Sequence, residues 1–145
     1  MSFEDLPRDW AHRSLDDPVL TADILDLVVS DLDRAAGGVM VLLCQADGRL
    51  SQPVFVGEIG SPDVAMDVIS FMAPNALDLP GVGGLVVALV RGSGAVTDLD
   101  RRVHQHTLEV CGRAGLALFG TFVVTRSDVV HLPVASDLRL ERGVA

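Results

Sequence analysis

The chain has 145 residues, the size of one domain with its own core, and 49% of it is hydrophobic against 21% charged, which excludes a disordered polymer. A net charge of −9, with no Lys- or Arg-rich run, excludes a nucleic-acid partner, since phosphate backbones would be repelled. Aromatics make up only 4%, with no Tyr and one Trp, so stacking platforms for bases are lacking and the core must be built from Val, Leu, Ile and Ala.

The opening stretch, MSFEDLPRDW, is polar and acidic, unlike a secretory leader. No apolar run reaches the roughly 18 residues that span a bilayer, so a soluble, cytoplasmic protein with no membrane partner is expected. Residues 1–16 read as an N-terminal arm pinned to the domain by Trp10. Asp17-Pro18 or Thr21 then opens a helix, because both offer a cap and proline suits the first turn. Leu20, Ile24, Leu27, Val28 and Leu32 recur at helical spacing and predict its buried face, with Asp23, Asp26, Asp31 and Asp33 on a solvated acidic face. Gly37-Gly38 ends it.

Val39 to Cys44 is a continuous apolar run and predicts a central strand covered on both sides. Asp47-Gly48 signals a hairpin, and the returning strand, Leu50 to Val56, contains Pro53, which suits a sheet edge. A second helix is expected from Ser61-Pro62-Asp63 to about Met72, with Val64, Val68 and Phe71 or Met72 inward. After a Pro- and Gly-rich loop come a buried strand, Leu85 to Val90, and a third helix, Asp98 to about Ala114. Leu118 to Thr125 and Val129 to Leu132 predict a closing hairpin, and residues 134–145 a tail. Cys44 and Cys111 are far apart and lie in core elements, so buried reduced thiols are expected rather than a disulfide or a zinc knuckle.

The Arg91-Gly92-Ser93-Gly94 loop, between a strand and a helix start, can be read as an anion cradle or as a simple tight turn. Neither GxxxxGK[ST] nor GxGxxG is present, and Asp98 and Asp100 in the first helical turn oppose a phosphate. His104-Gln105-His106 falls on a helix, where residues two apart diverge by about 200°, so a shared metal is not expected. His106 is placed beside the apolar Leu99, Val103, Thr107 and Val110 face, with His104 nearer solvent. Cys111 lies two helical turns from His104, too far for a thiolate–imidazole pair, and no GxSxG elbow occurs.

The order of elements, with VMVLLCQADGRL, QPVFVGEIG, VALVRGSG, the Thr97-Asp98-Leu99-Asp100 box and GLALFGTFVVTRSDVVHLP, resembles the JAB/MPN domain and its bacterial RadC-like branch over about Gly38 to Pro133. The resemblance implies an α/β fold: a single-domain mixed sheet with flanking helices and cytidine-deaminase-like layering, here over residues 17–133. Active members of that family are zinc hydrolases, with two histidines of a His-x-His-Pro segment and the aspartate of a Ser-x-x-Asp box on the metal and an upstream glutamate acting on its water. Aligned on Ser93-Gly94, this chain places Leu89 and Arg91 at the histidines, Gly92 at the proline, Thr97 at the serine and Asp100 at the aspartate. Gly120-Thr121 stands where RadC-like members carry an Asp-His pair, and Glu58 is the nearest upstream carboxylate.

One carboxylate beside a cation cannot supply the roughly three ligands of a catalytic zinc, and Arg91 is expected to pair with Asp100 instead. The resemblance therefore implies a pseudoenzyme with no catalytic residue, no metal and no cofactor, serving as a protein-interaction or scaffold module with a protein partner or as a homodimer. Two alternatives stand beside it. One is a metal-dependent hydrolase with a non-standard site drawn from Glu58, Asp100, His104 or His106. The other is a sensor of a small anionic ligand at Arg91, Ser93, Gly94 and Asp100.

Overall fold

Where the chain becomes uniformly apolar it forms the interior of a sheet. The computed structural model describes residues 7–132; residues 1–6 of the expected arm and the expected tail at 134–145 lie outside them. Strands β1 (Gly38–Gln45) and β3 (Val82–Val90) lie side by side at the centre. Strand β2 (Leu50–Gly57) flanks β1, and β4 (Ala117–Val124) and β5 (Val129–Leu132) follow β3, giving the order β2-β1-β3-β4-β5. All neighbours are antiparallel except β3 and β4.

Both faces of the two central strands are covered, which is why they lack alternation. Val39, Val41, Leu43, Val87 and Leu89 enter one apolar cluster, and Met40, Leu42, Cys44, Val86 and Ala88 the other. Pro53 sits on edge strand β2, as its missing N–H requires. Gly48 takes φ +92 in the β1–β2 turn, a conformation that suits glycine, and Asp47 Oδ1 accepts from the Arg49 N–H. A parallel neighbour needs a crossover, and α4 (Asp98–Ala114) provides the one between β3 and β4. With α3 (Pro62–Ala76) it covers one face of the sheet, and α1 (Pro18–Val28) covers the other. The molecule is thus a single α/β domain with a mixed sheet and flanking helices.

Several expectations are corrected. The first helix is two: α1 ends at Val28, Val29 is extended (φ −88, ψ 108), and the Ser30 hydroxyl accepts from the Asp33 N–H to open α2 (Asp31–Ala36). The new cap re-aims the chain, so Leu27 and Leu32 are exposed while Val29 is buried. Asp23, expected in solvent, is buried beside Ile24.

Helix α3 runs to Ala76 and buries Ala65, Ile69, Ala73 and Ala76; Val64, expected inward, is exposed, and of the alternatives Phe71 and Met72 it is Met72 that packs on the core while Phe71 is exposed. On α4 the histidines are reversed: His104 is buried, His106 is only partly so, and Leu99 is exposed. The buried stripe Asp100–His104–Thr107–Cys111 follows helical geometry rather than side-chain polarity.

The described part of the arm, residues 7–16, is more integral than a pinned strap. Trp10 begins a short 3-10 turn and packs against the α1-side cluster. Ser14 bridges to Arg49, the Leu15 N–H donates to Gly48 O, and the Leu15 side chain is completely buried.

Candidate functional site

A cleft opens at the carboxyl end of β3, between the start of β1 and the first turns of α3 and α4, the usual end of the strands for a site in an open α/β sheet. It measures about 220 Å³ and is lined by Gly38 at the start of β1, Ile59 and Ser61 before α3, Leu89 and Arg91 at the end of β3, and Asp100 in the first turn of α4. The β3–β4 ladder continues one residue past β3, as the Arg91 N–H donates to Val124 O. Leu89 and Arg91, two apart on an extended segment, therefore point to the same side.

Asp100 is fixed from below by a capping box. Its backbone N–H donates to Thr97 Oγ1 at 3.3 Å, and its Oδ2 accepts from the Thr97 N–H at 2.7 Å. Its remaining capacity meets Arg91 in a two-pronged pair, Nη1 to Oδ1 at 2.6 Å and Nη2 to Oδ2 at 2.8 Å. Nη2 also donates to Ala95 O at 2.9 Å, closing the loop on itself. Burial pushes the Asp100 pKa up, but hydrogen bonds from Arg91 and Thr97 outweigh it and hold the carboxyl below its ordinary value. Hydrogen bonding to Asp100 likewise raises the Arg91 pKa above its ordinary value, against burial. The pair is a closed, charge-balanced clasp, as the sequence predicts.

The other candidate residues are dispersed. Ser93 and Gly94 are exposed and do not line the cleft, so the structure joins Arg91 to Asp100 but leaves the glycine loop outside. Glu58 adopts φ +61, unusual for a side-chain-bearing residue, with its N–H on Gly37 O. It precedes the cleft-lining Ile59 without lining the cleft itself. His106 Nε2 sits between α3 and α4, 2.6 Å from Ser70 Oγ and 3.2 Å from Met66 O. His104, Gly120 and Thr121 are buried and line no part of the cleft. The thiols are buried, and desolvation raises Cys44 to about 12 and Cys111 to about 11.

The donor set at the cleft does not fit a zinc centre. It offers a single carboxylate with both oxygens held by a cation, and a leucine where a ligand is needed. Among the described residues no group of three or more His, Cys, Asp or Glu side chains is placed to hold a metal ion. Sequence reasoning missed the lip formed by Ile59, Ser61 and Pro62; its only signal was the Ser-Pro-Asp helix start. It also missed Arg34, a lone cation in the acidic DLDRAA segment that is buried at the base of the Gly92 loop, where Arg34 O lies near Gly92.

Comparison with known proteins gives no match: no family model fits the chain, and no curated protein or solved structure is significantly similar to it.

Proposed function

We propose that this chain is a JAB/MPN-like domain of the RadC-like branch that works without catalysis, as a protein-interaction or scaffold module in the cytoplasm. The Arg91–Asp100 clasp carries the reading. It stands where the resemblance puts the metal, and it engages both oxygens of the one carboxylate that could have served as a ligand. A metal ion entering there would displace a guanidinium held by charge-assisted hydrogen bonds. The same observation disfavours an anion sensor, because the guanidinium donors facing Asp100 and Ala95 are already engaged. No helix among the described residues is long and apolar enough to cross a membrane, in keeping with a partner met in solution.

Metal analysis tests the reading from both sides. Protein dialysed against metal-free buffer is expected to hold far less than one zinc per chain, and stoichiometric zinc would overturn the proposal. The Leu89→His/Arg91→His variant restores two imidazoles on one side of the strand beside Asp100, and it is expected to take up zinc near one equivalent. A variant that keeps the parent circular dichroism yet binds no zinc would defeat the JAB/MPN-like assignment.

A further inference from the structure

We infer that the outer face of α3 is a docking surface for a basic amphipathic helix of another protein, an inference that rests on the interaction-module reading and names its face and its partner's chemistry. Helix α3 carries two apolar arcs. The inner one, Ala65, Ile69, Ala73 and Ala76, packs on the sheet. The outer one is Val64, Val68 and Phe71, spaced i, i+4, i+7, with Val64 46% and Phe71 70% exposed and Val68 half-buried between them. A scattered exposed apolar residue needs no explanation, but two exposed ones in helical register with a half-buried third between them form a stripe on one helix.

Charge selects the occupant. Asp63 and Asp67 border one side of the stripe, Asp78 follows the helix, and α3 contains no Lys or Arg. Among the described residues none of these three carboxylates is in an ion pair, whereas Asp9, Asp26, Asp47, Asp98 and Asp100 each hold an arginine. The face is therefore apolar with an acidic edge that no basic side chain pairs.

A second copy is a poor match, because a two-fold axis through the stripe near Val68 would set Asp67 beside its own duplicate. Anionic lipid and nucleic acid would be repelled as well. Strand addition at the neighbouring edge is blunted by Pro53, which has no N–H to offer. What fits is a helix with apolar anchors at i, i+3 or i+4 and i+7, bordered by Lys or Arg, and the net charge of −9 speeds its encounter.

The test uses the full chain and two synthetic helical peptides that share one leucine stripe, flanked by Lys in one and by Glu in the other. Amide shifts on adding the Lys-flanked peptide are expected to map to Val64, Asp67, Val68 and Phe71, with the Glu-flanked peptide inert. Phe71→Asp alters an exposed position, so its thermal unfolding stays near that of the parent while affinity falls about tenfold or more. Asp63→Lys/Asp67→Lys is expected to weaken binding similarly without touching the stripe. Shifts centred on another face, equal affinity of Phe71→Asp, equal binding of both peptides, or a homodimer that Phe71→Asp dissociates would each overturn the inference. Zinc content judges the interaction-module reading on its own, so a misplaced docking face and a mistaken function give different results.

Discussion

Arg34 and Arg91 each pair with an aspartate, yet their guanidinium groups hold different things together. Arg34, with its side chain only 6% exposed, donates from Nε to Val29 O, from Nη1 to Thr125 O, and from Nη2 to both Asp26 O and Asp26 Oδ1. It thereby ties α1 and the α1–α2 break to the end of β4, across 91 positions of chain. Arg91, 31% exposed, reaches only Asp100 and Ala95, both within nine residues of itself. One arginine joins distant elements through backbone carbonyls. The other closes a local loop through a carboxylate and one nearby carbonyl.

That contrast breaks if the two arginines prove interchangeable in their effect. Arg34→Met leaves three carbonyls and one carboxylate without their donor, and it is expected to cost about 3–5 kcal/mol by denaturant unfolding. Arg91→Met is expected to cost less, about 1–2 kcal/mol, since its guanidinium is partly screened by solvent and Thr97 still holds Asp100. Equal losses in the two variants would show that the local clasp is as structural as the buried one.

Acid sharpens the difference for Arg91. The folded-state pKa of Asp100 lies below its ordinary 3.8, so the clasp stabilises fully above that value and is lost as pH falls through the lower folded value. The gap between the parent and Arg91→Met should be constant near neutrality and close in strong acid. The smallest effect is expected for Thr97→Ala, about 1 kcal/mol for a lost cap. Combined with Arg91→Met it should cost less or more than the sum, because both act on Asp100 Oδ2. Strict additivity would mean that the cap and the clasp are independent.

Elements set by local chemistry were legible from sequence: β1 from its apolar run, the β1–β2 turn from Asp47-Gly48, α4 from its capping box, and the β4–β5 hairpin. The Arg91–Asp100 pairing was expected from the resemblance, which sets Arg91 at a ligand position beside the aspartate, and it needs only a loop and a helix start to form. Faces were harder. On α3, bulk and hydrophobicity favour Val64 and leave Phe71 and Met72 open, whereas the side turned to the sheet carries Ala65, Ile69, Ala73 and Ala76 with Met72 against them. On α4, polarity places His104 outward, whereas its position one turn from Asp100 and from Thr107 places it inward. The α1–α2 break depends on the Ser30 cap, whose signal is weak within an uninterrupted helical pattern.

The burial of the two thiols has a practical consequence. Cys44 belongs to the α1-side cluster and Cys111 to the cluster beneath α3 and α4, so each half of the interior carries one sulfhydryl. With their acidities pushed to about 12 and about 11, neither is ionised at neutral pH, and neither can be reached by an alkylating reagent without an opening of its own layer. The chain thus contains a pair of internal clocks, and the ratio of their labelling rates tells whether the two layers come apart together or one before the other.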